Sequence, residues 1–259
     1  NEVTSLNIEA APGSFVGLSI DGEYMTYGIC DLTGIANIEI PAQNPSTVIK
    51  VVVTKQNYFR YEGQILVVPA EGPYVIETTH EINDMNANNN GFIEFNEDIY
   101  LDYTIKNVGM DVAENVVISI NSSDEYIQIL DGSEDIGTVE PGQEVSVEQA
   151  FSFAVSVDIP DEHMINITFS ATNGTDIWES QYGLVAYAPN LEFTFIDFEE
   201  IEGNGNGFLD AGETATASFQ TTNTGSRDFP AGEQILSTNS SHITIESDNT
   251  TFDDITTDE

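Results

Sequence analysis

Residues 86–97 read NANNNGFIEFNE, and residues 202–213 read EGNGNGFLDAGE. Both stretches have oxygen-bearing side chains at positions 1, 3, 5, 9 and 12, and glycine at position 6. This is the spacing of a calcium loop of the EF-hand kind, in which alternate side chains turn their oxygens inward and the glycine permits a sharp turn. Position 1 departs from the usual aspartate, because it is Asn86 in one copy and Glu202 in the other.

The two loops predict two Ca²⁺ sites, because this cation takes about six to eight oxygen ligands in a loose shell. Position 7 contributes its main-chain carbonyl, and the glutamate at position 12 can contribute two oxygens. Asp84, two residues before the first loop, can replace Asn86 as a carboxylate ligand. The predicted ligands of the first site are Asp84, Asn86, Asn88, Asn90, Phe92, Glu94 and Glu97, and those of the second are Glu202, Asn204, Asn206, Phe208, Asp210 and Glu213.

The second loop has three acids at ligand positions, so we expect it to bind calcium more tightly than the first. The nearby pair Glu199 and Glu200 is assigned to the rim of the second site or to a solvated face. The alternative is that both stretches are plain Asn-Gly hairpin turns. Their shared acids at positions 9 and 12 favour calcium, because two unrelated turns need not share them.

The two loops belong to a longer repeat. A shift of 116 residues aligns Asn107-x-Gly109 with Asn223-x-Gly225, and Ile127 with Ile243. Such self-similarity is typical of a modular array. Short alternating or β-branched runs separated by turn residues predict strands throughout, as in residues 99–106, and no helical period persists.

The fold class is therefore all-β, with tandem immunoglobulin-like β-sandwich domains. We predict a first sandwich over residues 1–76, a second with the first calcium-type loop over residues 77–188, and the first part of a repeated sandwich over residues 189–259. The last domain is expected to be incomplete, with the protein continuing past Glu259.

Composition limits the partners. The chain of 259 residues has a formal net charge of −40 and only five Lys or Arg residues. Nucleic-acid binding is excluded because nothing neutralises phosphates. Insertion into a membrane is not expected, since no apolar run of about 18 residues occurs. A single cysteine forms no internal disulfide.

Residues 15–22 (FVGLSIDG), 28–34 (GICDLTG), 51–58 (VVVTKQNY) and 61–67 (YEGQILV) carry a family resemblance. Together they resemble the immunoglobulin-like domain that follows the catalytic domain of gingipain-type cysteine peptidases of Bacteroidetes. The later repeats look like CARDB-type adhesion modules of secreted proteins. This resemblance implies a spacer and binding array in a secreted or cell-surface protein, with no catalysis in this chain.

Other candidate sites are weaker. Cys30 and His80 could form a nucleophile and base, but they fall in different predicted domains, and a buried structural thiol is expected instead. His163 and His242 have no second ligand at zinc spacing. Trp178, Tyr182 and Tyr187 could line a carbohydrate-binding face, whereas a sandwich commonly buries its tryptophan in the core.

We therefore predict a non-catalytic, calcium-stabilised spacer or adhesion array. Its expected partners are neighbouring domains of the same longer chain, with surface proteins or glycans as further candidates. The first alternative is the accessory region of a gingipain-type peptidase, and the second is a carbohydrate-binding module.

Overall fold

The computed structural model describes residues 4–45, 47–85 and 87–257. All the regular secondary structure in this part of the chain consists of β-strands, which form tandem immunoglobulin-like β-sandwich units. The predicted fold class is confirmed. None of the described residues forms a helix able to cross a membrane.

The first unit is a two-layer sandwich of six strands. One layer pairs β1 with β4, and the other has the order β3-β2-β5-β6. Alternating residues of each strand point into the space between the layers and form the core around Val16, Leu18, Ile38 and Ile49. The strands are β1 (Ser5–Glu9), β2 (Phe15–Ile20), β3 (Glu23–Ile29), β4 (Ile35–Glu39), β5 (Val48–Thr54) and β6 (Tyr61–Leu66).

A hairpin at Asp21-Gly22 connects β2 and β3. Ile20 pairs with Glu23, so the two turn residues alone connect the strands. Both have positive φ, 50° at Asp21 and 81° at Gly22. This is the type I′ geometry, whose twist matches that of the flanking strands.

The described residues of the second unit form nine strands in two sheets. Their orders are β12-β10-β14-β15-β8 and β11-β13-β9-β7. One sheet thus groups β7, β9 and β13, and the other groups β10, β14 and β15, as in an immunoglobulin-like sandwich. The strands are β7 (Val75–Asn83), β8 (Ile93–Glu94), β9 (Asp98–Asn107), β10 (Ala113–Asn121), β11 (Ile127–Asp131), β12 (Ser133–Val139), β13 (Glu144–Val155), β14 (His163–Thr172) and β15 (Ile177–Tyr187).

Strand β9 shows why these residues form a half-buried strand. Its odd-numbered residues from Ile99 to Ile105 are at most 2% exposed, whereas the residues between them are only half-buried. At about 25 cal/mol for each Å² of apolar surface, burial of this face favours the strand register strongly. The predicted buried face of β9 is confirmed.

A buried asparagine closes the end of β9. Asn107 Oδ1 accepts hydrogen bonds from the backbone N–H groups of Tyr74 (3.1 Å) and Gly109 (3.0 Å). Its Nδ2 donates to the carbonyls of Asp111 and Val139, both at 2.9 Å. A Cβ on Gly109 would lie 2.5 Å from the Gly72 carbonyl oxygen. The Asn-x-Gly motif therefore anchors the segment that enters the second unit.

The third unit repeats the first part of the second. Asn223 makes the same four bonds, accepting from Asn190 and Gly225 and donating to Arg227 and Ile255. Its sheets are the pairs β16-β17 and β18-β19. The strands are β16 (Leu191–Glu202), β17 (Thr214–Asn223), β18 (Gly232–Ile235) and β19 (Asn249–Phe252).

The second and third units differ in how deeply their equivalent residues are buried. Tyr103 is 2% exposed because Phe151 of β13 and Phe169 of β14 pack on its ring. Its counterpart Phe219 is 46% exposed, and no counterpart of β13 or β14 occurs among the described residues of the third unit. The predicted division at residue 76 falls inside β7, and the predicted domain boundaries stay a prediction.

Candidate metal centres

The first loop connects the two layers of the second unit. It leaves β7 at Asn83 and passes through β8, which pairs in parallel with β15, before β9 begins at Asp98. The left-handed conformations of Asn89 (φ 58°) and Gly91 (φ 82°) turn the chain back on itself. Asparagine and glycine tolerate this region best, which is why the sequence NNNG forms the turn.

Asp84 is the inner residue of this loop. Its side chain is 3% exposed, and its Oδ2 accepts the N–H groups of Asn90 (2.7 Å) and Gly91 (3.1 Å). The predicted contribution of Asp84 to the loop therefore has a geometric basis. Asn86, the predicted ligand at position 1, lies outside the described residues.

Two asparagine amides face two glutamates across the loop. Asn88 Nδ2 donates to Glu94 Oε2 (2.7 Å) and Glu97 Oε1 (2.9 Å), and Asn90 Nδ2 donates to Glu94 Oε1 (2.7 Å). The amide oxygens of Asn88 and Asn90 accept the N–H groups of Asn90 (3.1 Å) and Phe92 (2.9 Å), so a half-turn of either amide would present its oxygen to a cation only by giving up that bond. Glu94 is itself only 7% exposed.

The first loop concentrates negative charge. Burial raises the pKa of Glu97 above its usual range, and the neighbouring charges of Glu94 and Asp84 raise it further, while Arg227 lowers it. Three carboxylates are thus held close enough to repel one another. A bound divalent cation would relieve this repulsion.

The second loop brings together the counterparts of the same three acids, which are Glu200, Asp210 and Glu213. Asn204 and Asn206 donate from Nδ2 to Asp210 Oδ2, at 3.1 and 2.8 Å. Glu213 accepts the N–H groups of Asn204 (3.0 Å) and Asp210 (2.8 Å) through its two oxygens.

Glu200 is the functional candidate that the sequence analysis placed only at the rim. Its Oε1 accepts the N–H of Gly205 at 2.7 Å, but its buried Oε2 has no hydrogen-bond partner. The signal was available, since the 116-residue shift sets Glu200 on Asp84. Glu202, the predicted ligand at position 1, is exposed in β16 opposite Thr214.

A glycine makes room for these carboxylates. A Cβ at Gly203 would collide with Glu200 Oε1 and lie 2.7 Å from Glu213 Cδ. The loop thus forms a cradle that the smallest side chain would fill. The orphaned oxygen of Glu200 and this cradle both fit an oxygen-ligated cation.

The remaining predicted ligands are phenylalanines at position 7. The N–H groups of Phe92 and Phe208 donate to Asn90 Oδ1 (2.9 Å) and Asn206 Oδ1 (2.7 Å), which closes the same turn in both loops. Within residues 4–45, 47–85 and 87–257, no three His, Cys, Asp or Glu side chains are grouped to hold a metal by themselves. Calcium binding would therefore need the amide and main-chain oxygens as well as the carboxylates.

Other polar candidates are used for packing. Cys30 is 2% exposed in the first core, while His80 forms an ion pair with Glu77 and stacks on Tyr182 with ring centroids 4.1 Å apart. They belong to different hydrophobic cores and make no nucleophile–base pair. His163 Nε2 lies 2.8 Å from Asp124 Oδ2.

Trp178 is buried in the core of the second unit, as the sequence analysis favoured. It is 8% exposed and meets the Tyr74 ring edge-on, with centroids 6.3 Å apart. Tyr182 is covered by His80, and burial raises its pKa above the usual range, with the Glu77 charge adding to the effect. Trp178 cannot form an exposed platform for a sugar ring while the unit is folded.

No protein-family model matches the chain, and no curated protein is significantly similar to it. Three solved structures resemble its fold at 7–13% sequence identity. Trypsin-activated alpha-2-macroglobulin from Escherichia coli is 12% identical, with a TM-score of 0.34 over 70% of this chain and 12% of that chain.

The N-terminal eight immunoglobulin domains of Down Syndrome Cell Adhesion Molecule are 13% identical, with a TM-score of 0.25 over 98% of this chain and 31% of that chain. Extracellular domains 3–5 of Drosophila OTK are 7% identical, with a TM-score of 0.24 over 100% of this chain and 84% of that chain. None of these three structures links the chain to gingipain-type peptidases or CARDB-type modules, and those resemblances stay hypotheses.

Proposed function

We propose that this chain is a non-catalytic spacer and adhesion segment of a secreted or cell-surface protein, and that its two repeated loops bind calcium. The proposal rests on one observation above all. In both loops the same three acids accept hydrogen bonds from the loop itself, Asp84 like Glu200, Glu94 like Asp210, and Glu97 like Glu213. Crowding acids in this way is unfavourable unless a cation binds among them.

The residues that would hold calcium in the first loop are Asp84, Asn88, Asn90, Glu94, Glu97 and the Phe92 carbonyl. The second loop would use Glu200, Asn204, Asn206, Asp210, Glu213 and the Phe208 carbonyl, with Glu200 in place of Glu202, which the EF-hand spacing predicts as the ligand at position 1. The cation would neutralise the acids and join β7 to β9, or β16 to β17. Each loop would then stiffen the start of its unit.

The spacer role is supported by the connections between units. Asn107 and Asn223 each accept one backbone hydrogen bond from the segment that enters their unit, from Tyr74 and Asn190. Asp161 Oδ1 accepts the N–H of Ala188 at 3.0 Å, which holds the chain where it leaves the second unit. Short connections held at both ends favour a defined angle between neighbouring units. The proposed partners are neighbouring domains of a longer chain, together with surface proteins or glycans.

The test is calcium-dependent stability. At a free concentration about 100 times its dissociation constant, a bound ligand stabilises the folded state by roughly 2.7 kcal/mol. Trp178 is the only tryptophan and lies in the second core, so its fluorescence follows the first loop's unit alone. We expect calcium to raise the thermal midpoint of this signal, and Glu97→Gln to abolish the rise.

The second loop is measured by calorimetric titration, in which Glu213→Gln should remove one of two binding events. The matched control is Glu179→Gln, which makes the same change at an exposed position of β15. Chelator and calcium samples are kept at equal ionic strength, because charge screening alone stabilises so acidic a chain. If calcium shifts nothing, or shifts the wild type and the Glu97→Gln variant equally, the loops are hairpin turns and not cation sites.

A further inference from the structure

One of the five cationic Lys and Arg residues of the chain lies on the first loop, and it comes from the third unit. Arg227, in the connection between β17 and β18, forms an ion pair with Glu94. Its guanidinium carbon lies 4.6 Å from the Phe92 ring centroid and 4.8 Å from that of Tyr187. The side chain is 24% exposed, so about three quarters of it is covered in this contact.

The neighbouring residue fastens the same connection to the second unit. Ser226 donates from its backbone N–H (2.9 Å) and from Oγ (2.8 Å) to Asp161 Oδ2. The Ser226 N–H also lies 3.1 Å from the Ala188 carbonyl oxygen. Arg227 and Ser226 thus form a joint between the second and third units, and only Arg227 reaches the loop acids.

The two loops differ in whether an arginine side chain lies beside their acids. The 116-residue shift sets Arg227 on Asp111, an acid that accepts the N–H of Gly72 at 3.1 Å. In the described residues no ion pair reaches Glu200, Asp210 or Glu213. The same three carboxylate positions are therefore partly neutralised in the first loop and not in the second.

We propose that Arg227 is a built-in counter-cation of the first loop, so that calcium binding there and docking of the third unit oppose each other. This inference rests on the proposed function, because it takes the loops to be calcium sites. Two cations drawn to one carboxylate repel each other, and each weakens the negative potential that attracts the other. The reciprocity of linked equilibria makes the effect equal in both directions.

Two consequences follow. The first loop binds calcium more weakly than its acids alone would allow, and calcium at that loop loosens the joint made by Arg227. The second loop has no such competitor, which gives a physical reason for the tighter binding that the sequence analysis expected from its number of acids. Couplings between sites usually change affinity by about 5- to 150-fold.

The experiment measures calcium affinity at the first loop alone. The Glu213→Gln variant removes the second site, and calorimetry then compares this parent with versions that also carry Arg227→Gln, Arg227→Lys or Ser226→Ala. We expect Arg227→Gln to tighten binding at least about fivefold. Arg227→Lys keeps the positive charge and should stay closer to the parent than Arg227→Gln does.

Ser226→Ala is the matched control, because it weakens the joint without changing the charge at the loop. By the same linkage it should tighten calcium binding, but by less than Arg227→Gln does, because the charge of Arg227 stays available to Glu94 when the joint is only weakened. Unchanged or weaker binding in Arg227→Gln, or equal tightening in Arg227→Lys or in Ser226→Ala, overturns the charge competition. Adding Glu97→Gln to the parent must abolish the signal, and if it does not, the first loop is no calcium site and both proposals fail. Trp178 fluorescence confirms that each variant keeps the folded second unit.

Discussion

Replacing Asn107 by alanine tests how the repeated unit is held together. The side chain is 0% exposed and makes four hydrogen bonds, all to backbone groups. Alanine removes the donor and acceptor atoms of this side chain and leaves its four backbone partners without these hydrogen bonds in a fully buried site. Four bonds at about 1 kcal/mol each predict a loss of about 4 kcal/mol of folding free energy.

The assay is urea unfolding followed by the fluorescence of Trp178, which reports the second unit without contribution from another tryptophan. With a slope of about 2 kcal/mol per molar urea, the predicted loss lowers the midpoint by about 2 M. Asn223→Ala is the internal control, since it removes four equivalent bonds in the third unit. It should leave the Trp178 transition nearly unchanged, because distant sites act independently.

Asn107→Asp extends the same test to the effect of a buried charge. The carboxylate keeps the two accepted bonds but turns an oxygen toward the carbonyls of Asp111 and Val139, where the amide donates at present. A buried charge facing two carbonyl oxygens is strongly unfavourable, so this variant should be less stable than Asn107→Ala at pH 7. Protonation restores one donor, and the deficit relative to wild type should therefore shrink as the pH is lowered to about 4. A midpoint shift below about 0.5 M for Asn107→Ala, or an equal shift for Asn223→Ala, would refute the four-bond account.

Three further predictions concern single residues of the repeat. Glu200→Gln should weaken calcium binding at the second loop by about 10-fold or more, as much as Glu213→Gln does, whereas Glu199→Gln should not. Calorimetry measures these affinities, and equal effects of Glu199→Gln and Glu200→Gln would exclude Glu200 as a ligand. Gly203→Ala should weaken calcium binding at the second loop about 10-fold without lowering the stability of the calcium-free protein, because its Cβ displaces only the ends of the Glu200 and Glu213 side chains. Calcium affinity equal to that of the wild type would show that the cradle is not the site. Gly109→Ala should destabilise the second unit by about 2 kcal/mol or more in the Trp178 assay, because its Cβ meets backbone atoms of Gly72 and Tyr74 that cannot turn aside.

Local features of this chain were predictable from sequence. The alternation over residues 99–106 predicted a strand, and β9 has one buried face with that period. The dipeptide Asp-Gly is a strong signal of a type I′ turn, and Asp21-Gly22 forms one. In each case the deciding interactions lie within a few residues or follow from the period of a strand. The position of the repeats was also predictable, since the 116-residue shift needs no structure.

Two parts of the candidate sites were not predictable by the same reasoning. Glu200 was missed as a ligand because the EF-hand spacing begins at Glu202, and a pattern anchored on that position does not include a side chain that enters from the preceding strand. Arg227 was missed because its contact with Glu94 joins two units. No periodicity or local motif encodes such a contact, which depends on how the units pack.

Comparison of the second and third units shows which features recur with the repeated sequence and which depend on the strands that pack over it. Asn107 and Asn223 make the same four bonds, and the two loops close with the same turn. Yet Tyr103 is 2% exposed and Phe219 is 46% exposed. The hydrogen bonds of Asn107 and Asn223 thus depend on residues that both units contain, whereas the burial of Tyr103 depends on β13 and β14, which pack over it. Within the described residues the third unit lacks this cover, so its hydrogen-bonded strands gain less from the hydrophobic effect than those of the second unit, and a cation at its loop would be a larger share of their stability. Calcium should then protect the backbone amides of β16 and β17 from hydrogen exchange more than it protects those of β7 and β9, and equal protection would contradict this reasoning.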